Sequence, residues 1–205
     1  MSKIDFKKEL KSIYDCSAKD PVIVTVPKMS YLMVDGKGNP NTAQAYTEAI
    51  ETLFGISYAL KFMIKKGPMG LDYGVLPLQG LWWIENGAKL RMDNKEDWSW
   101  TAMIMQPEFI TKDLLDEAIQ QTISKKKDLP ALSKLRFESL EEGECAQIMH
   151  IGPYAAEEPT IDWLHKFIAS NGHQFNGKHH EIYLSDVRKA APEKLKTIIR
   201  QPMKK

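Results

Sequence analysis

Cysteine is scarce in this chain: Cys16 and Cys145 are the two among 205 residues, far apart and with no CxxC pair. That excludes a disulfide scaffold and a thiolate zinc finger, and fits free thiols in a reducing compartment. No apolar run approaches the roughly 20 residues of a membrane span, and the charged stretch from residue 1 to 10 has no apolar segment of a secretory signal. A cytoplasmic location without membrane contact is therefore expected. Neither sign of charge dominates: 28 basic residues face 27 acidic ones, for a net charge of +1. With no basic tail or stripe, direct binding of nucleic acid is not expected. Nucleotide and nucleophile-elbow signatures (GxGxxG, the P-loop, GxSxG) are missing as well. What is present is 43% apolar residues with twelve glycines and eleven prolines, enough for a substantial core. Five tryptophans and ten methionines suit adaptable pockets for flat apolar ligands, and serve equally as core filler.

The periodicities predict an α+β chain. An amphipathic lead-in covers Ile4 to Tyr14. Strands are predicted over 21–26 and 31–34, with a turn at Gly36 to Pro40. A long helix follows to about Lys65, capped by Asn41 or Thr42, and Gly55 interrupts without ending it. Strands at 74–84 and 98–106 flank a turn at Asn86-Gly87. A helix from Thr111 closes at Lys125 to Lys127, and Asp128-Leu129-Pro130 is the best boundary candidate. Strands at 136–140 and 144–151 then enclose a tight turn at Glu141 to Gly143. A helix with Pro159 in its first turn, the strand around Glu181 and a final strand near 197–203 complete the chain. Both halves, about 20–110 and 131–205, thus run strand, helix, strand, strand, linked by the helix at about 111–127. One domain over 1–205 is expected, with the two modules in pseudo-twofold arrangement. Such junctions favour ligand pockets.

The most informative run is Gly177 to Asp186. Alternation places Glu181 and Tyr183 on one strand face and Ile182 and Leu184 on the other. The Glu181 face looks into water or into a cavity. In an apolar cavity, desolvation would raise its pKa and make it a general base. Glu157 or Glu158, after the Gly152-Pro153-Tyr154 turn, could supply a second carboxylate, or both could simply favour a helix N-terminus. Tyr154 and Tyr183 could donate hydrogen bonds. Trp82, Trp83, Trp98 and Trp100 could stack on a planar ligand. Adjacent Trp82 and Trp83 face opposite ways, so one of them lines a pocket, together with Trp100. His179 and His180 alternate faces and cannot chelate one metal, and His165 and His173 are poorly spaced. No metal and no cofactor are expected.

Several of these pieces come in a recognisable order: His150-Ile151-Gly152-Pro153-Tyr154, Trp163-Leu164, Gly172, Gly177 and His180-Glu181-Ile182-Tyr183-Leu184. The first half adds Pro77-Leu78-Gln79-Gly80-Leu81-Trp82-Trp83, Trp98-Ser99-Trp100 and Gln106-Pro107. Over about residues 20–203 the chain resembles the GyrI-like small-molecule-binding family, in a stand-alone branch similar to cyclopropanoid cyclopropyl hydrolases. The resemblance implies two strand–helix–strand–strand modules around a central pocket. In drug-sensing relatives a buried glutamate, at the position of Glu181, pairs with cationic ligands among aromatic rings. Some stand-alone members instead hydrolyse the strained cyclopropane of DNA-alkylating natural products. Catalytic roles are therefore expected for Glu181, Tyr183 and Glu157. Ligand contacts are expected from Trp82, Trp83, Trp100, Tyr154, Trp163 and His180. The partner would be a planar or cationic hydrophobic small molecule, handled in detoxification. Sequestration without turnover and gyrase inhibition are the alternatives. With no room before residue 20 for a helix-turn-helix, a direct regulator role is not expected.

Overall fold

The computed structural model describes residues 3–85, 94–125 and 128–205. The predicted Asn86-Gly87 turn and the lysines Lys126 and Lys127 lie outside these described residues. Two short helices, α1 (Phe6–Glu9) and α2 (Lys11–Tyr14), lead into strands β1 (Val22–Val26) and β2 (Met29–Lys37). Helix α3 (Gln44–Lys66), strands β3 (Leu78–Ile84) and β4 (Trp98–Gln106) and helix α4 (Lys112–Ser124) follow. The second half holds β5 (Arg136–Leu140), β6 (Gly143–Ile151), α5 (Glu158–Ser170), β7 (Gln174–Phe175), β8 (His179–Tyr183) and β9 (Lys196–Lys204).

The strands form an antiparallel sheet in the order β1-β6-β9-β8-β3-β4-β2-β5, with β7 pairing β9. This order is palindromic in structural terms. In one half β2 and β3 flank β4, in the other β6 and β8 flank β9, and the halves meet where β3 pairs β8. The pseudo-twofold strand–helix–strand–strand architecture is thus present. The halves also exchange their first strands: β1 pairs β6 and β5 pairs β2. Glu141 and Glu142 are therefore not a hairpin turn but a link between strands with different partners. The same holds for Pro27 and Lys28 between β1 and β2. Each link spans three Cα steps of 3.8 Å, about 11 Å at most. Because β1 and β5 sit at opposite edges of the sheet, links this short require it to curl until the edges approach each other.

Registers fix what each face carries, since directly paired residues share a face. The inner face holds Tyr31, Met103, Gln79, His180, Arg200 and Gln147 across successive strands. The outer face holds Trp100, Trp82, Gly80, Glu181, Ile199 and Ile148. Helix α3 packs over β2 and β4, and α5 packs over β6 and β9. Helix α3 starts at Gln44, with Ala43 rather than Asn41 or Thr42 at its cap. Gly55 sits in it because a Cβ there would lie 2.7 Å from Leu129 Cδ2. The expected boundary segment is accordingly packed down: Leu129 is buried, and the Ala131 amide donates to Thr52 Oγ1 on α3 at 3.2 Å.

Inside the curl lies a buried polar network. Arg200, 1% exposed, donates to Gln147 Oε1, to Glu142 Oε2 at 3.0 Å and to the Ile13 carbonyl at 2.6 Å. His180 bridges Glu142 Oε1 and Gln79 Oε1, both at 2.9 Å, and Gln79 donates to the Tyr14 hydroxyl at 2.9 Å. Burial opposes charge on Glu142, but His180 and Arg200 outweigh it and hold the carboxyl at about 2. Removing Arg200 would strand that charge. Arg200→Met should therefore lose about 3–5 kcal/mol of stability, measured by urea unfolding at neutral pH. Because the folded value of Glu142 is depressed from 4.5, its contribution is complete above that value. It disappears as pH falls through about 2, so the gap between wild type and variant should narrow on acidification.

Candidate functional site

With α3 and α5 over the flanking strands, the outer face of the central β3–β8 pair is left for a cavity of about 580 Å³. That volume suits a drug-sized ligand. Its wall combines both halves of the chain. Helix α3 contributes Tyr46, Ile50, Phe54 and Tyr58, four residues spaced by four and hence on one helical stripe. Strand β3 contributes Trp82, and Trp98 stands at the start of β4. The second half contributes Tyr154, Glu157, Glu181, Tyr183 and the segment after β8.

The rings form a connected wall. Trp82 lies 5.4 Å from Trp98 and 5.6 Å from Tyr46 between centroids, and Tyr154 meets Tyr183 edge-on at 5.4 Å. Gly80 makes this arrangement possible. A Cβ there would lie 2.7 Å from Trp82 Nε1, so only glycine lets the indole lie flat beside the position paired with Glu181.

Glu181 is 6% exposed, and both of its oxygens are engaged. His179 Nε2 lies 3.1 Å from Oε1, and the Tyr183 hydroxyl donates to Oε2 at 2.7 Å. The three side chains share a face because they alternate along β8. Burial works against the charge of Glu181. The hydrogen bond and charge of His179, the Tyr183 hydroxyl and the charge of Lys95 together bring it below its ordinary value. The expected upward shift of Glu181 is thus corrected: its partners win over desolvation.

The carboxyl that burial does raise is Glu157. It caps α5 after the short turn Tyr154–Ala156, is 1% exposed, and its Oε1 has no hydrogen-bond partner among the described residues. Desolvation, then the charge of neighbouring Glu181, pushes it up to about 9. At neutral pH the site therefore holds one carboxylate and one carboxylic acid side by side. Of the two glutamates Glu157 lines the cavity, whereas Glu158 is exposed and does not. Tyr154 is raised to about 12 by burial and by both carboxyls, so its hydroxyl remains a donor.

Other expected ligand contacts lie elsewhere. Trp83 faces away from the cavity, with Lys178 Nζ 3.2 Å from its ring centroid. Trp100 is fully buried against Tyr46 and Gly36, where a Cβ would lie 2.2 Å from the indole; its neighbour Trp98 takes the expected place at the cavity wall. Trp163 is 42% exposed on α5 and His180 belongs to the inner network, so neither lines the cavity. Leu184, assigned to the core face, follows the end of β8 and lines the cavity. The sequence reading missed His179, Lys95 and the Phe54–Tyr58 part of the α3 stripe. The alternation that separates His179 from His180 also places His179 beside Glu181, and this signal was available. Among the described residues no group of three His, Cys, Asp or Glu side chains is arranged to hold a metal. No helix among them is long and apolar enough to cross a membrane.

Comparison with known proteins bears on the same fold. The model of the GyrI-like small molecule binding domain matches residues 19–204. No curated protein matches the sequence. An uncharacterized conserved protein from Listeria innocua is 41% identical, with a TM-score of 0.91, over 98% of this chain and 100% of its own. A hydrolase from Listeria innocua is also 41% identical, with a TM-score of 0.88, over 99% of this chain and 100% of its own. The C-terminal domain of EcmrR is similar at 14% identity and a TM-score of 0.57, over 91% and 98% of the two chains. That last likeness concerns the fold alone.

The raised Glu157 has a cost for folding. A folded value above the unfolded one contributes stability that is complete below about 4.5 and is lost as pH rises through about 9. Glu157→Gln should therefore gain melting temperature relative to wild type. The gain should be small near about pH 5 and larger near about pH 8, as read by thermal unfolding across that range.

Proposed function

The chain belongs to the GyrI-like small-molecule-binding family, and on that premise we propose that it is a hydrolase opening the cyclopropane of DNA-alkylating cyclopropanoid compounds. Glu181 is the general base and Glu157 the general acid. The observation that carries this reading is the pair of buried carboxyls whose surroundings drive their proton affinities apart. Such a split assigns an acid and a base within one site. The 41% identical hydrolase of Listeria innocua supports hydrolysis as the reaction class.

The substrate would be a cyclopropane fused to a cyclohexadienone. Glu181 removes a proton from a water molecule as the water oxygen bonds to the unsubstituted cyclopropane carbon. The ring carbon–carbon bond breaks, and its electron pair moves through the dienone to the carbonyl oxygen. Glu157 protonates that oxygen, and a phenol results. Water is added, nothing is oxidised or reduced, and strain release with aromatisation drives the step. The enzyme then holds a protonated Glu181 beside an ionised Glu157, and proton return between the neighbouring carboxyls restores the starting state. The aromatic wall orients the flat ring system and limits competing solvent. His179 and Tyr183 hold the Glu181 carboxylate still. The Tyr154 hydroxyl is a second donor for the developing phenolate.

Incubating the protein with a large excess of a spirocyclopropyl cyclohexadienone separates catalysis from sequestration. Complete conversion is expected; conversion that stops at one equivalent would make the protein a binder only. Glu181→Gln should lower kcat/KM by about 10²–10⁴-fold while still binding a neutral planar ligand. In wild type the rate should fall on the alkaline side near about 9, where Glu157 gives up its proton, and Glu157→Gln should remove that limb. A Glu181→Gln enzyme with undiminished turnover would refute the base assignment.

A further inference from the structure

The cavity contains a cation of its own. Lys95 lines it, with Nζ 4.9 Å from the centroid of the Trp98 ring, the place on an aromatic wall that a cationic ligand would seek. The same ammonium lies close enough to the buried pair to act on both Glu157 and Glu181. Each Glu181 oxygen is already engaged once, one with His179 and the other with Tyr183. At the mouth, Arg188 is paired with Asp186 through two hydrogen bonds of 2.9 Å, and Lys7 adds a further positive charge. With Glu157 carrying its proton, the described ionisable groups of the wall leave the cavity with an excess of positive charge.

We propose that Lys95 is the resident counter-cation of this cavity, so that the site selects neutral, flat, hydrogen-bond-accepting ligands and turns lipophilic cations away. Lys95 is then a specificity-determining residue. An incoming cation meets like charge in a site shielded from water, where repulsion is strong, and finds the indole face already covered. A neutral ligand with a carbonyl oxygen meets the opposite situation. Its flat faces stack on the rings, and its oxygen can accept from the Glu157 acid. This inference deepens the hydrolase reading by stating what class of ligand enters, but it needs only binding and no turnover.

The test uses two flat tricyclic probes of similar size: acridone, which is neutral and bears a carbonyl, and N-methylacridinium, which is a cation. Binding to the full chain is followed by titration calorimetry and by quenching of tryptophan fluorescence. Wild type should bind acridone at least about tenfold more tightly than N-methylacridinium. Lys95→Met should strengthen binding of the cation by about tenfold or more while leaving acridone within a few-fold. Lys95→Gln, which keeps a polar side chain at this half-buried position, should shift selectivity in the same direction. Equal affinity of wild type for the two probes would overturn the proposal, as would a Lys95→Met variant no better at binding the cation, or a wild type that binds neither probe. A protein that prefers acridone yet converts no cyclopropanoid would leave this inference standing and remove the hydrolase reading alone.

Discussion

Strand β8 carries ionisable groups on both faces, and both faces are buried. On one side His180 joins Glu142 and Arg200 inside the curled sheet. On the other, Glu181 and Tyr183 line the cavity, with His179 held against Glu181. A buried charge is tolerated only where it is paired and hydrogen-bonded, so each face needs a complete set of partners. Around the charges the inner set is closed: each Glu142 oxygen has a partner, and the Arg200 guanidinium has three acceptor residues. On the outer side, buried polar atoms of the cavity wall are left without a partner among the described residues, Glu157 Oε1 and Trp82 Nε1 among them. That difference sets the paired charges of the inner network apart from the cavity wall. The inner network locks β8 in register, and the outer one inherits that rigidity while keeping unused hydrogen-bonding capacity next to open space.

Much of the architecture was legible because it rests on short-range rules. Period-two alternation identified β8 and the shared face of Glu181 and Tyr183, and helical spacing with glycine and proline stops identified α3 and α5. The repeated strand–helix–strand–strand order indicated the pseudo-twofold arrangement. The strand exchange was not legible. Nothing local distinguishes Glu141-Glu142 as a hairpin turn from the same residues as a link to another edge; only pairing across more than a hundred residues decides it. The tryptophans illustrate the same limit. Trp98 and Trp100 share a strand face, and the sequence cannot show that Gly36 makes a slot for Trp100 and so draws it into the core. The direction of the Glu181 shift was misjudged for a related reason. Desolvation can be guessed from apolar neighbours, but its outcome depends on hydrogen-bond donors whose approach is a tertiary fact, here His179.

Family membership and chemistry are separable in this molecule. The fold, shared with the C-terminal domain of EcmrR at 14% identity, leaves the central strand pair uncovered by the helices, and in this chain the cavity forms there. It does not fix what the cavity does. That depends on a few side chains: a glycine that lets an indole lie flat, a glutamate at a helix cap turned inward, a lysine against a tryptophan ring. None of these three side-chain features belongs to the inner network around Glu142 and Arg200.

The N-terminal segment shows how far such tuning extends beyond the common scaffold. Residues before 19 fall outside the family match, yet they touch both the cavity wall and the network behind it. The Ile4 amide donates to the Asp72 carbonyl at 2.8 Å, and Gly74 donates back to Ile4 at 3.1 Å. The Phe6 ring packs against Tyr73 and Phe109. These contacts hold the loop that leads into the Val75 to Leu78 part of the cavity wall. A few residues later, the Ser12 and Ile13 carbonyls accept from Gln147 and Arg200. One short segment therefore spans from the cavity wall to the inner network, and adds Lys7 to the cavity mouth on the way. Tying the wall to the network that fixes β8 sets the distance between the aromatic side of the cavity and its carboxyl pair. Under the proposed hydrolase function, aligning a flat ligand with the two carboxyls requires that distance to be constant.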